Sequence, residues 1–163
     1  MNAFAEILEA IAHAPVQKRA ITNHSVLNEA FAYSKPSSFS RGMRIDLGGV
    51  TILLISGTAS IDEKGESVHI GDFRSQMRRT LANITGLLES EGCTWHDIVR
   101  TTCYLRDIER DYEAFNEERT AFFAEQGVDP LPASTGIQAI LCRPELLIEI
   151  EAIAMFRAEK TGS

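Results

Sequence analysis

The feature that most constrains the fold is the apolar run VTILLIS at residues 50–56, directly preceded by the pair Gly48-Gly49. The run is far shorter than the ~20 residues of a membrane-spanning helix, and its β-branched residues favour an extended strand. Just upstream, Met43, Ile45 and Leu47 alternate with polar residues, a pattern typical of a half-buried strand. Because a Gly-Gly pair suits a two-residue turn, the segment predicts a β-hairpin whose second strand is covered on both faces.

A helix is predicted after this hairpin, between Asp72 and Gly92. Asp72 suits an N-terminal cap, and Gly92 suits a helix C-terminus. The apolar residues between them advance by three or four positions, the spacing of one helical face: Phe73, Met77, Leu81, Ile84 and Leu88. A second helix is predicted at residues 111–126, with three aromatic side chains facing the core: Tyr112, Phe115 and Phe122.

Three further strands are predicted at residues 98–106, 136–141 and 146–156. Alternation in the first of them places four side chains on the core face: Val99, Thr101, Cys103 and Leu105. The order is therefore hairpin, helix, strand, helix and two strands. This order predicts an α+β fold in which two helices pack on one face of a mixed β-sheet.

The chain is expected to hold one main domain, at residues 39–157. Residues 1–38 are interpreted as an N-terminal extension that lies on this domain, and residues 158–163 as a tail. The extension is predicted to begin with a short amphipathic helix, because four apolar residues follow the spacing i, i+3, i+4 and i+7: Phe4, Ile7, Leu8 and Ile11.

The charge and the cysteine content exclude several classes of function. The chain carries 16 basic and 23 acidic residues, a net charge of −7, and no basic stripe, so no nucleic-acid partner is expected. The N-terminus lacks the basic start and long apolar run of a secretory signal, which favours a cytoplasmic protein with no membrane partner. Cys93, Cys103 and Cys142 are widely spaced and the histidines stand apart, so no disulfide framework and no metal site is expected. No cofactor is expected either.

Six groups of residues follow one another along residues 39–157: Ser56-Gly57, Gln76 with Thr80-Leu81-Ala82-Asn83-Ile84, Gly92 with Asp97-Ile98-Val99-Arg100-Thr101-Thr102, Phe115-Asn116, Pro132-Ala133, and Glu149-Ile150-Glu151-Ala152-Ile153-Ala154. This ordered set resembles the Rid/YjgF family of reactive intermediate deaminases, also described as endoribonuclease L-PSP-like. The resemblance implies a chorismate-mutase-like fold and a homotrimer with active clefts between subunits. Deaminating members carry an arginine after the Pro-Ala pair that binds the substrate carboxylate, whereas this chain has Ser134. That difference argues against the standard deamination of 2-imino acids.

A second set of segments consists of Phe39-Ser40-Arg41, Ser56-Gly57-Thr58-Ala59-Ser60, Tyr104-Leu105-Arg106-Asp107, and Cys142-Arg143 leading to Glu149. These segments are similar to the chorismatases, Rid-like enzymes that hydrolyse the enolpyruvyl ether of chorismate. The similarity implies that Ala59 and Cys142 contact the substrate. Without it, both are expected to be small packing residues.

Both families act on an electron-rich C=C bond beside a carboxylate, and Glu149 is the candidate acid/base for such chemistry. Strand alternation places Glu149 and Glu151 on one face together with Leu147 and Ile153, so the two carboxylates are neighbours. Partial burial and the like charge of Glu151 should both raise the pKa of Glu149. The alternative interpretation is that the two glutamates mark a polar face of the sheet.

Arg106 and Arg143 are the candidates to bind the substrate carboxylate, for which Ser134 offers only a hydroxyl group. Arg106 ends a strand and shares its face with Tyr104, and Arg143 follows Cys142 directly. The alternative for each arginine is a surface ion pair at the end of a strand. Cys142 is interpreted as a packing or substrate-contact residue rather than a nucleophile, because no histidine lies near it in the sequence.

Three functions from different classes follow from these residues. The first is a hydrolase that acts on a small enamine, imine or enolpyruvyl carboxylate in a trimer cleft and releases a 2-oxo acid. The second is a trimer that binds a small carboxylate without catalysis. The third is a nucleic-acid enzyme, which the acidic charge disfavours. The carboxylate pair and the two arginines favour the hydrolase.

Overall fold

The computed structural model describes residues 16–33 and 36–157, together with Glu6 and Glu9. Its strands are β1 (Gln17–Ala20), β2 (Gly42–Leu47), β3 (Val50–Ala59), β4 (Ile98–Leu105), β5 (Ala133–Gln138) and β6 (Ile148–Phe156), and its two long helices are α1 (Phe73–Glu89) and α2 (Ile108–Glu125). The strands form one sheet in the order β1-β2-β3-β6-β4-β5. Only the β4–β5 pair is parallel among these neighbours, so the sheet is mixed. The predicted α+β fold with two helices is confirmed.

The β2–β3 hairpin forms as the sequence predicts, but its second strand is not covered on both faces, because Leu54 of β3 is 41% exposed. Leu47 pairs with Val50 across a two-residue turn, in which Gly48 and Gly49 have φ angles of 57° and 100°. Positive φ at both turn positions favours glycine over any residue with a Cβ atom. The turn fixes the register of β3, so that one set of its side chains is buried in the core: Thr51, Leu53 and Ile55.

Each helix begins at an aspartate that caps it. Asp72 accepts a hydrogen bond from the backbone N–H of Ser75, as the sequence predicts for α1. Asp107 accepts one from the backbone N–H of Arg110, so α2 begins at Ile108, earlier than the predicted residue 111. The apolar face of α1 is buried as predicted: Phe73, Met77, Leu81, Ile84 and Leu88.

The burial of aromatic residues along α2 differs from the prediction. Phe115 is buried and Phe122 is partly buried against the core, but Tyr112 is 51% exposed. Phe123 is buried instead. At 3.6 residues per turn Tyr112 and Phe123 share one side of the helix, so burial on that side varies along the helix. The prediction for Tyr112 is wrong because spacing reports the side of a helix and not what packs against each turn.

One edge strand, β1, is absent from the sequence prediction. It pairs antiparallel with β2, with Lys18 opposite Ile45, and its residues are exposed. Its sequence QKRA lacks the apolar alternation that identifies half-buried strands. Ile21 and Leu27, which follow β1, are fully buried in the core. Residues 17–27 of the expected extension are therefore part of the sheet and core of the main domain.

Other boundaries also differ from the sequence prediction. β5 begins at Ala133, earlier than the predicted residue 136, because this exposed strand is polar at its start. The amphipathic helix predicted near the N-terminus lies outside the described residues apart from Glu6 and Glu9, which are helical, and residues 158–163 also lie outside them. Within the described part of the chain, no helix combines the length and the apolar character needed to cross a membrane.

A β-bulge shifts the alternation at the start of β4. Ile98 pairs with Ala154 and Arg100 with Ile153, so Val99 is an extra residue without its own partner. Val99 is 42% exposed, whereas Ile98 is buried. The predicted inward orientation of Val99 is wrong for this reason.

The two faces of the sheet differ in character. On β6, one set of alternating side chains is buried under the helices: Ile148, Ile150, Ala152 and Ala154. Glu149 and Glu151 point to the opposite face, which confirms the predicted alternation. Leu54 and Met155 also lie on that face, and both are partly exposed to solvent. We call this face the open face of the sheet.

Candidate functional site

A cleft of about 960 Å³ opens where the end of β3 and the start of β6 meet the loop 141–147. Its lining includes four of the residues that the sequence proposes for the site: Ala59, Cys142, Arg143 and Glu149. Glu151 also lines the cleft. Tyr104, Arg106 and Ser134, the other three proposed residues, lie outside its lining.

Glu149 occupies the floor of the cleft between two strands. It pairs with Ala59 of β3 on one side and with Tyr104 of β4 on the other. Its carboxyl group lies against Gly57, where an added Cβ atom would overlap Glu149 Oε1. Gly57 belongs to an irregular stretch of β3 between residues 55 and 58, where the register with β6 shifts. A glycine at this position therefore allows the close approach of the glutamate.

The electrostatic surroundings of Glu149 favour its protonated form. Burial raises the pKa of the Glu149 carboxyl, and the like charge of Glu151 raises it further. Both causes are those predicted from the sequence. Partial burial and, after it, the charges of Glu151 and Glu149 also raise the pKa of Tyr104. None of the ion pairs among the described residues includes Glu149 or Glu151, so Glu149 can hold a proton for transfer.

Arg106 binds the loop 141–147 and does not line the cleft. Its Nε donates a hydrogen bond to the backbone oxygen of Leu146 at 2.5 Å, and its Nη2 donates to that of Arg143 at 2.6 Å. A longer contact of 3.5 Å joins Nη2 to the backbone oxygen of Leu141. The charged guanidinium thereby positions the loop that carries Cys142 and Arg143. A direct contact between Arg106 and a substrate carboxylate stays a prediction.

Two buried amide side chains on α1 form hydrogen bonds with the backbone of the segments that line the cleft. Gln76 accepts a hydrogen bond from the backbone N–H of Leu147 at 2.8 Å and donates to the backbone oxygen of Glu145 at 2.9 Å. Asn83 donates to the backbone oxygens of Ala59 and Ile61. This positioning role was not predicted from the sequence. The available signal was that Gln76 and Asn83, seven positions apart, lie on the apolar side of α1, which is an unusual place for polar residues.

Arg143 and Cys142 stand side by side at the cleft. Arg143 Nη1 donates to the backbone oxygen of Gly65 at 2.8 Å and to the Ser67 hydroxyl at 3.1 Å. Burial and the charge of Glu149 raise the pKa of the Cys142 thiol, which disfavours the thiolate that a nucleophile requires. This environment fits the interpretation of Cys142 as a contact residue.

Ser134 lies at the sheet edge and faces away from Glu149. It pairs with Thr101 of β4, which in turn pairs with the buried Ala152. Since side chains alternate between faces, Ser134 and Glu149 point to opposite faces of the sheet. The Ser134 hydroxyl accepts a hydrogen bond from Arg119 Nη1 at 3.1 Å and forms one with the Thr101 hydroxyl at 3.0 Å. Within one chain, Ser134 and Glu149 do not share a site.

Other residues of the lining were not assigned to a site from the sequence, among them Tyr33, Phe39 and Arg41. The guanidinium carbon of Arg41 lies 5.0 Å from the ring centroid of Tyr33 and 5.4 Å from that of Phe39. The signal in the sequence for Phe39 and Arg41 was the segment Phe39-Ser40-Arg41, which belongs to the chorismatase resemblance. In the described part of the chain, no group of three His, Cys, Asp or Glu side chains is placed to hold a metal ion.

Comparison with known proteins identifies one family. The family model described as endoribonuclease L-PSP matches residues 32–156. A 3-aminoacrylate deaminase, RutC, from Acinetobacter baylyi is 34% identical over 103 residues, which are 63% of this chain and 78% of the relative. A 2-iminobutanoate/2-iminopropanoate deaminase from Salmonella typhimurium is 34% identical over 113 residues, which are 69% of this chain and 84% of the relative.

Solved structures match the same architecture. The YjgF gene product from E. coli has a TM-score of 0.67 and 28% identity, and the match covers 85% of this chain and 99% of that one. TdcF from E. coli, solved with bound serine, has a TM-score of 0.68 and 24% identity over 85% of this chain and 98% of that one, and shares the fold. The fold is thus the α+β fold of the YjgF type. The chain belongs to the Rid/YjgF family, also described as endoribonuclease L-PSP, which confirms the resemblance found in its sequence.

Proposed function

We propose that the protein is a hydrolase that acts on a small carboxylate carrying an enamine, imine or enolpyruvyl ether and releases a 2-oxo acid. The observation that carries this proposal is the half-buried Glu149, beside Glu151 and without an ion-pair partner among the described residues, in the same cleft as Arg143. A proton donor and a cation for a carboxylate are the two groups that such a reaction needs. Relatives named as 3-aminoacrylate and 2-iminobutanoate deaminases support the reaction class.

The proposed reaction begins with a proton transfer from Glu149. In 2-aminoacrylate, the C=C electron pair takes the proton at the terminal carbon and leaves an iminium ion at the carbon beside the carboxylate. Water attacks that carbon and gives one proton to the Glu149 carboxylate. The remaining hydroxyl proton then passes to the nitrogen, so that the C=O bond forms as the C–N bond breaks and ammonia leaves. Enamine and water thus give pyruvate and ammonia. An enolpyruvyl ether follows the same steps through an oxocarbenium ion and releases an alcohol.

The substrate carboxylate is proposed to bind Arg143. A guanidinium group has five N–H donors, and the hydrogen bonds of Arg143 to Gly65 and Ser67 occupy only its Nη1. Its Nε and Nη2 remain for a carboxylate, in the two-pronged geometry that arginine favours. Arg106 supports this arrangement through the loop, and Tyr104 through its place beside Glu149.

We also propose that the protein is a cytoplasmic homotrimer. The open face of the sheet carries exposed apolar side chains, including Leu54 and Met155, and association with further subunits would remove them from water. A cleft at a subunit boundary would also give Ser134 a route to a substrate, since it faces away from Glu149 within one chain. The partners expected are therefore other copies of this chain and a small carboxylate.

Hydrolysis of chorismate is a second candidate for the same cleft. Ala59 and Cys142 line the cleft together with Glu149. The chorismatase resemblance implies that these two residues contact the substrate, so their presence favours this candidate. The volume of about 960 Å³ also leaves room for a ring-bearing substrate.

The test offers enzymatically generated 2-aminoacrylate and, separately, chorismate to the purified protein, with pyruvate measured through lactate dehydrogenase. Because 2-aminoacrylate hydrolyses on its own, the quantity compared is the increase over the rate in buffer. Acceleration with 2-aminoacrylate supports enamine hydrolysis, and acceleration with chorismate alone supports the second candidate. No acceleration with either, together with measurable binding of pyruvate, would overturn the hydrolase proposal in favour of a non-catalytic carboxylate-binding protein.

A further inference from the structure

The cleft contains two arginines whose positive charge has no close carboxylate partner. None of the ion pairs among the described residues includes Arg41 or Arg143, although the chain has a net charge of −7. Glu29 and Glu145 act on them only by longer-range attraction. Arg41 is 5% exposed, and a buried charge without a partner is costly. The cleft is also lined by Lys64 and by four glutamates, Glu66, Glu145, Glu149 and Glu151, so an anion would be attracted to the two guanidinium groups and not to the cleft as a whole.

Both guanidinium groups are held in place by neutral acceptors and keep donors free. Arg41 donates from Nε and Nη2 to a single backbone oxygen, that of Asn28, at 2.9 and 2.7 Å. Arg143 donates from Nη1 to Gly65 and Ser67. Since a guanidinium carries five N–H groups, the Nη1 donors of Arg41 and the Nε and Nη2 donors of Arg143 remain for a ligand. Fixed guanidinium groups of this kind bind carboxylates with little further loss of entropy.

The ring of Tyr33 lies close to both cations. The guanidinium carbon of Arg41 lies 5.0 Å from the centroid of this ring, and that of Arg143 lies 5.6 Å from it. Gly65 lies so close to the ring that an added Cβ atom would overlap it. The Tyr33 hydroxyl is buried and has no hydrogen-bond partner among the described residues. The cleft therefore presents two guanidinium groups near one aromatic ring whose hydroxyl group has no hydrogen-bond partner among the described residues.

Arg41 also lies near the reacting carboxyl. Its backbone oxygen accepts a hydrogen bond from the N–H of Ser56 at 3.1 Å, and Ser56 precedes Gly57, against which Glu149 packs. Both Arg41 and Glu149 line the same cleft. One ligand can therefore reach Glu149, Arg143 and Arg41 together.

We propose that Arg41 forms a second anion-binding position in the cleft and that the natural ligand is a dicarboxylate. Arg143 binds the carboxylate beside the reacting carbon, as in the proposed function on which this inference rests. Arg41 binds a second carboxylate at the far end of the ligand. The substrate is then larger than an imine of pyruvate and carries a second negative charge.

The test compares two ligands that differ only in this second charge, 2-oxoglutarate and 2-oxopentanoate. Their dissociation constants are measured by titration calorimetry with the wild-type protein and with Arg41→Met, Arg41→Lys and Arg100→Met. The wild-type protein should bind 2-oxoglutarate about tenfold more tightly than 2-oxopentanoate. Arg41→Met should remove this preference and leave 2-oxopentanoate binding unchanged, and Arg41→Lys should keep part of it. Arg100, exposed and bonded to Thr135, serves as the control, and its variant should bind like the wild type.

Equal binding of the two ligands by the wild-type protein overturns the proposal, even if Arg41→Met fails to fold. Equal weakening of both ligands by Arg41→Met also overturns it, because Arg41 then acts on the cleft as a whole. These outcomes are separate from the hydrolase proposal. Pyruvate release from 2-aminoacrylate without tighter binding of the dicarboxylate would support the hydrolase function and contradict only the proposal that the natural ligand is a dicarboxylate.

Discussion

The Glu149 carboxyl group lies directly against Gly57, in space that an added Cβ atom would occupy. The irregular stretch of β3 brings this glycine opposite β6. One strand thus provides the acid and the neighbouring strand provides the room for it. The position of Glu149 depends on a residue that contributes no side chain of its own.

Gly57→Ala should therefore reduce hydrolysis more than it reduces stability. The added methyl group displaces Glu149, and a misplaced catalytic group lowers the rate by about 10- to 100-fold. The displaced atoms belong to the end of a flexible side chain, so the melting temperature should change little. Gly136→Ala is the matched control, because its Cβ would meet nothing within 4 Å. Equal rates for the two variants would contradict this role of Gly57.

The raised pKa of Glu149 gives a contribution to the free energy of unfolding that decreases as pH rises. Burial and, second, the charge of Glu151 hold this pKa above its ordinary value of 4.5, so the folded chain binds the proton more tightly than the unfolded chain. The resulting stabilisation is complete below pH 4.5 and is lost as pH rises through the folded-state pKa. In urea unfolding from about pH 4 to pH 8, the free energy of unfolding of the wild type relative to that of Glu149→Gln should decrease as pH rises. Glu113→Gln, an exposed change on α2, should follow the wild type, and identical curves for all three proteins would refute the shift.

Arg106→Met should loosen the loop 141–147. The variant loses charge-assisted hydrogen bonds to the backbone oxygens of Leu146 and Arg143, so the free energy of unfolding should fall by about 1–3 kcal/mol. Hydrogen exchange should increase in the loop, and the KM for the carboxylate substrate should rise, because Arg143 is no longer held in place. Arg100→Met is the control. Unchanged exchange in the loop would show that Arg106 does not position it.

The sequence predicts the inner parts of the fold well because their signals are local. The turn glycines Gly48 and Gly49, the cap Asp72 and the alternation around Glu149 each depend on a few neighbouring residues, and all are found as predicted. The edge strand β1 has no such signal, because exposed positions impose no apolar pattern. Burial along α2 and the bulge at Val99 depend on what packs opposite each residue, which spacing does not contain.

The candidate site is predicted from the sequence only in part, for a related reason. Alternation identifies Glu149 and its neighbour Glu151 within one strand. Arg41 reaches the cleft through the folding of the segment before β2, and Ser134 is turned away by its pairing with Thr101. Contacts between distant segments of the chain determine where these side chains lie. Such contacts produce no periodic pattern in a single sequence.

Asp107→Ala should destabilise the protein through the start of α2. Asp107 accepts a hydrogen bond from the N–H of Arg110 at 3.0 Å, and loss of such a cap costs about 1 kcal/mol. Asp107→Asn keeps an acceptor and should remain close to the wild type. Urea unfolding measures both variants. An alanine variant as stable as the wild type would place the start of α2 elsewhere.

The proposed homotrimer predicts that the open face of the sheet is covered in solution. Light scattering should give three times the chain mass of 18.0 kDa. Leu54→Glu, on the open face, should reduce this mass to that of one chain. Tyr112→Glu, at an exposed position of α2, should leave the trimer intact. A wild-type mass of one chain would contradict the proposal.

The catalytic role proposed for Glu149 is tested most directly by the rate of pyruvate release from 2-aminoacrylate by Glu149→Gln, with Glu113→Gln as control. The substitution keeps the size of the side chain and removes the proton that it donates. Glu149→Gln should fall to the rate in buffer while it still binds 2-oxopentanoate as the wild type does, and Glu113→Gln should keep the wild-type rate. A Glu149→Gln protein with the wild-type rate would show that Glu149 is not the proton donor and would contradict the proposed mechanism.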